Sequence, residues 1–119
     1  MSGIIYKICD RQTWEVALGL GRYEGSADDI RDGFIHFSTP AQVQRSAAKH
    51  FAGKKNLILA AVDVSALGDV LKWEPSRAGA LFPHLYGPLD MRAVIWTQPL
   101  PLDDASMAGE HIFPEGVIT

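Results

Sequence analysis

Leu57-Ile58-Leu59-Ala60-Ala61-Val62 follows the polar turn Lys54-Lys55-Asn56 and has no polar residue on either alternation. Such a run reads as a strand covered on both faces, and therefore as the centre of a sheet. It is far shorter than the roughly 20 apolar residues that cross a bilayer. Upstream, Val43, Ala47 and Phe51 repeat at helical spacing behind Thr39-Pro40. Threonine caps a helix and proline suits its first position, so the pattern predicts a helix from that point, with Gly53 as its stop. Downstream, Val70 to Glu74 alternates, Leu71 and Trp73 against Lys72 and Glu74, and Met91 to Trp96 reads as a last strand. Pro99, Pro101 and Pro114 predict a loop-like end.

Toward the start, Ile4 to Ile8 reads as a strand with Ile4, Tyr6 and Ile8 on one face. Asp10 is placed to cap a helix carrying Trp14, Ala17, Leu18 and Gly21. Ser26 with Asp29 forms a capping-box pattern for a short helix that Gly33 ends. Phe34 to Ser38 reads as a buried strand. Helices come early and strands dominate later, which predicts a single α+β domain with a mixed, mostly antiparallel sheet and a few short helices. Residues 1–98 are expected to form it, with 99–119 as a proline-containing extension packed on it or trailing.

A chain of 119 residues has room for one hydrophobic core. Hydrophobic residues at 47% and charged residues at 21% exclude a disordered chain and a coiled coil. A net charge of −3 argues against a general binder of nucleic acid or anionic membranes. The lone Cys9 cannot close an internal disulfide, and the first residues lack the basic-then-apolar pattern of a secretory leader. A cytoplasmic protein is the expectation. Gly19-Leu20-Gly21-Arg22-Tyr23-Glu24 fails as a dinucleotide fingerprint, because Glu24 stands where a glycine is needed and a helix precedes it. Cys9, at a strand end, reads as a small buried hydrophobe rather than a nucleophile.

Two histidines stand in unusual settings. His36 lies inside Gly33-Phe34-Ile35-His36-Phe37-Ser38, and alternation puts Phe34, His36 and Ser38 on one face. An imidazole and a hydroxyl on one strand face can address one ligand; the alternative is a core histidine bonded to a carbonyl. His84 lies in Phe82-Pro83-His84-Leu85-Tyr86-Gly87-Pro88, a segment held in a restricted shape by two prolines and a glycine. His84 and Tyr86 share a side there, suited to sugar or phosphate oxygens and to ring stacking. The alternative is a tight turn whose phenol caps a strand. Glu74 is the natural acidic partner. His36, His84 and Glu74 would be a valid zinc set, but they lie on separate elements without ligand spacing, so no metal is expected. His50 and His111 read as structural or solvent-facing. A further alternative for both histidine blocks is a self-satisfied polar network that fixes the fold.

These blocks, with Trp14, Gln42, Phe51, Trp73-Glu74 and Leu89, closely resemble the bacterial DUF952 family, a domain of unknown function, from Ile4 to about Trp96. The resemblance implies kinship with the ADP-ribosyltransferase-like superfamily, whose split, strand-rich fold cradles a nicotinamide dinucleotide in a central cleft. By that resemblance His36, Ser38, Glu74, His84 and Tyr86 line the cleft. Glu74, His36 and His84 are then the catalytic candidates, and Lys7, Ser38, His84 and Tyr86 the cofactor-binding ones. Lys7 stands where relatives often carry histidine, keeping the charge but losing the planar imidazole bond. The implied activity is NAD-utilising: ADP-ribosyl or related transfer, or glycosidic cleavage of a dinucleotide. The alternative is a non-catalytic module for a nucleotide-like small molecule. A membrane partner is not expected.

Overall fold

The computed structural model describes residues 3–76 and 79–117. At its centre β4 (Leu57–Asp63) pairs antiparallel with β1 (Ile4–Asp10) on one side and β8 (Val94–Leu100) on the other. All six residues of the aliphatic run are buried, as a central strand covered on both faces requires. Alternation sorts them. Ile58, Ala60 and Val62 face one core with Ile5, Cys9 and Trp14, while Leu57, Leu59 and Ala61 face a second with Tyr6, Ile8 and Val43. Lys7, between Ile5 and Cys9 in alternation, therefore enters the first core. That placement is costly unless a carboxylate meets it.

The last strand begins later than the sequence predicts. Met91–Ala93 is a 3-10 turn capped by the Asp90 side chain, and β8 runs on through Pro99 to Leu100. Proline is tolerated because β8 lies at the edge of the sheet, with β4 as its one neighbour among the described residues. Beyond it, Val117 is buried in the second core, and Gly109 sits against Gly53, whose N–H donates to the Gly109 carbonyl at 3.0 Å. A Cβ on Gly109 would lie 2.5 Å from the Gly53 nitrogen, and its φ of +74° favours glycine as well.

Helix α1 (Arg11–Leu20) is capped as predicted, Asp10 accepting from the N–H groups of Gln12 and Thr13 and Gly21 ending the helix at φ 80°. Helix α2 (Ala27–Asp32) has the full Ser26–Asp29 capping box and ends at Gly33. Two further sheets complete the domain. Strand β6 (Leu81–Leu85) lies between β3 (Ile35–His36) and β5 (Leu71–Pro75), and β2 (Arg22–Tyr23) pairs with β7 (Leu89–Asp90). Every strand pair is antiparallel, so the fold is α+β in one domain.

Pro83 explains why β3 is so short. The Phe37 N–H donates to the Pro83 carbonyl at 3.0 Å, but proline has no N–H to return, and regular pairing stops at His36. Ser38 then pairs with Tyr6 instead. Helix α3 (Val43–His50) starts later than Thr39-Pro40 predicts. Those residues form a turn in which the Thr39 carbonyl accepts from Gln42 and Val43, and Gln42 Nε2 donates to the Leu81 carbonyl at 2.7 Å. The tie to β6 overrides the local cap.

Candidate functional site

Helix α2 delivers Asp29 to the buried Lys7. The Asp29 side chain is 1% exposed and lies 2.9 and 3.1 Å from the ammonium, which also donates to the His36 carbonyl at 3.0 Å. The carboxylate further accepts from the Ser26 N–H at 2.9 Å and the His36 N–H at 3.1 Å, and meets His36 Nδ1 at 2.6 Å. Burial pushes the Asp29 carboxyl up, but the bonds from His36, Lys7 and Ser26 outweigh it and hold the group well below the usual carboxylate range. Gly25 makes room: at φ +115° its Cβ would come 2.8 Å from that of Asp29. The outer edge of the His36 ring meets Asp32, Nε2 to Oδ2 at 3.0 Å.

The register of the second sheet sets His36 opposite His84 across β3 and β6, and Glu74 diagonal to His84 across β5 and β6. His84 Nδ1 lies 2.8 Å from Glu74 Oε1, and the Tyr86 hydroxyl donates to the same oxygen at 2.8 Å. Those bonds, His84 first and then Tyr86, lower the Glu74 carboxyl below its ordinary value, and the same carboxylate raises the Tyr86 phenol. Phe34 ties the two halves together. Its ring stacks on His84 at 4.0 Å between centroids and lies 4.6 Å from His36 and 5.2 Å from Tyr86. The two imidazoles stand edge to face at 5.6 Å. The outcome is a cluster of four rings with two partly exposed carboxylates, Glu74 anchored by His84 and Tyr86, and Asp32 at the edge of His36.

The structure thus gathers His36, Glu74, His84 and Tyr86. Lys7 is buried on the inner side, with its bonds going to Asp29 and the His36 carbonyl. Ser38 bonds Ser46 of α3, Oγ to Oγ at 2.8 Å, and the alternation that would have put it beside His36 ends where β3 ends. Asp29, Asp32 and the central place of Phe34 were not read from the sequence. The available signal was Lys7, a cation on an apolar strand that needs a buried carboxylate. Cys9 is buried, and burial pushes its thiol up, away from nucleophile chemistry. Among the described residues no group of three His, Cys, Asp or Glu side chains is placed to hold a metal, and no helix is long and apolar enough to cross a membrane.

An α+β domain of linked antiparallel sheets, bearing a histidine–carboxylate–tyrosine face on an aromatic bed, is the class that fold and site define. The chain belongs to the DUF952 family, described as a protein of unknown function, which matches residues 8–97. It is similar to Protein CC0527 from Caulobacter crescentus. The crystal structure of that protein shares 50% identity over 92% of this chain and 93% of the other, with a TM-score of 0.86. Its solution NMR structure gives 52% identity over 85% and 87%, with a TM-score of 0.76. No curated protein matches the chain.

Proposed function

We propose that the face of Phe34, His36, Glu74, His84 and Tyr86 binds a nucleotide-like small molecule, with NAD as the first candidate, and that Glu74 acts on the bound ligand. The observation that carries this reading is the Glu74 carboxylate, kept ionised by His84 and Tyr86 and held at the surface beside stacked aromatic rings. Cleaving the bond between nicotinamide and ribose sends the bonding electron pair out with the nicotinamide and leaves positive charge on the sugar. A fixed anion stabilises that charge more than it stabilises the ground state. An acceptor hydroxyl or water then bonds to the sugar carbon and releases its proton to solvent. His84 and Tyr86 position Glu74, and the rings offer stacking to a base. Lys7 enters as the group that fixes Asp29 and His36. The resemblance to ADP-ribosyltransferase-like proteins supports the choice of NAD.

A second reading, a module that binds such a ligand without reacting it, draws on Lys7. Its ammonium is buried against Asp29 and is not free to neutralise a pyrophosphate at the surface. Incubating the protein with NAD and following nicotinamide release by NMR separates the two. Release above the blank rate supports the enzyme. Saturable binding with no release over days supports the module.

A further inference from the structure

Both ring nitrogens of His36 meet carboxylates, Nδ1 at 2.6 Å from Asp29 and Nε2 at 3.0 Å from Asp32. His84 is built differently. Its side chain is 9% exposed against 37% for His36, yet only Nδ1 has a hydrogen-bonding partner among the described residues, Glu74 Oε1 at 2.8 Å. Nε2 is left over. Among the described residues the sealed polar side-chain atoms without a partner are Trp14 Nε1, the Tyr23 hydroxyl and His111 Nδ1, so His84 Nε2 keeps an opening to solvent. A polar network that only fixed the fold would spend both nitrogens of so deeply buried a ring.

Glu74 decides which nitrogen carries the proton. The ionised carboxylate only accepts, so the 2.8 Å contact is a hydrogen bond with the proton on Nδ1, and the neutral ring then has its lone pair on Nε2. The ring is also held in place. Phe34 stacks on it at 4.0 Å between centroids and 25° between planes, and the Tyr86 hydroxyl steadies the Glu74 oxygen that fixes Nδ1. An imidazole kept in one tautomer and one orientation by a carboxylate is suited to taking a proton from a hydroxyl.

We propose that His84 Nε2 is the proton acceptor of this face, and that the ligand is one that reacts there with water or an alcohol. The acceptor's oxygen bonds to the ligand carbon as its O–H proton moves to Nε2, and the electron pair of the broken bond leaves with the departing group. Glu74 faces the charge that the ring gains, and Nε2 hands the proton on to solvent. The inference rests on the proposed function for the bond that breaks, and it adds the group that takes the acceptor's proton.

The first test needs no substrate. Diethyl pyrocarbonate acylates an imidazole through a nitrogen lone pair, and mass spectrometry of the peptides follows each histidine over time. His84 should react about tenfold faster than His36, the reverse of the order that exposure alone gives. Two-bond proton–nitrogen NMR spectra of the neutral rings should place the His84 proton on Nδ1. Reaction of His36 ahead of His84, or a His84 proton on Nε2, overturns the proposal. Nicotinamide release from NAD gives the second readout and should fall by about 10²–10⁴-fold in His84→Gln. Release at the wild-type rate by a folded His84→Gln also overturns it. A reactive His84 with no release from NAD by the wild type keeps the base and removes the dinucleotide. Release with an unreactive His84 removes the base and spares the proposed function.

Discussion

Asp29→Ala is expected to destabilise the protein by about 3–5 kcal/mol, because it strips the counter-charge from a buried ammonium. Lys7 is 5% exposed, so its charge cannot turn to water without opening the core. The variant also removes the acceptor for His36, for the His36 N–H and for the Ser26 cap. Domains of this kind have only about 5–15 kcal/mol to lose, so the melting temperature should fall by on the order of 15 °C. Removing Lys7 as well restores part of the loss: the double variant Lys7→Met, Asp29→Ala should lose less than the two single variants summed. The acid limb follows with a definite sign. The native Asp29 carboxyl lies below its unfolded value of about 3.9, so its contribution is complete above about pH 4 and fades as pH falls through the native value. Asp29→Ala removes that component of the slope. Calorimetric melts from neutral pH down into the acid limb check both statements, and an unchanged acid limb would contradict the ion-pair account.

Glu74→Gln should lower nicotinamide release from NAD by about 10²–10³-fold while leaving NAD affinity within a few-fold. The substitution keeps the shape and an acceptor for the Tyr86 hydroxyl, but removes the negative charge that would face the developing cation. Glu74 lies at the surface, so the melting temperature should hardly move. Parallel loss of rate and affinity would make Glu74 a binding residue. An unchanged rate would remove it from the chemistry.

Much of the fold is written in local patterns. The aliphatic run of β4, the Asp10 cap, the Ser26–Asp29 capping box and the stops at Gly21 and Gly33 each depend on a few neighbouring residues, and each is found in the structure. Helix α3, by contrast, ends at His50 with Phe51 as its cap, short of the expected stop at Gly53. What escaped depends on distant partners. Pro83 argues against a central strand, yet β6 is one, because β3 accepts a one-sided bond there and then turns away. The two-residue ribbon of β2 and β7 is too short to leave a pattern. The start of α3 is set by Gln42 reaching Leu81.

The candidate site divides in the same way. Glu74, His84 and Tyr86 were legible together, because a proline-stiffened block presents two polar aromatic groups beside an acidic strand end. Lys7 and Asp29 meet from 22 residues apart, and only the burial of a lysine on an apolar strand hints at the contact. Reading Asp29 solely as half of a capping box missed its larger role, since one carboxylate serves both the helix and the ion pair.

The central claim is that this face binds a nucleotide-like ligand. It is tested most directly by calorimetric titration of NAD into the wild-type protein, His36→Ala and His84→Ala, with a melting curve for each. The account predicts saturable binding by the wild type that both variants lose while remaining folded at the titration temperature. No heat of binding at millimolar NAD would contradict the account. So would undiminished binding by both variants, which would place the ligand elsewhere and leave the histidine network a device for holding the fold.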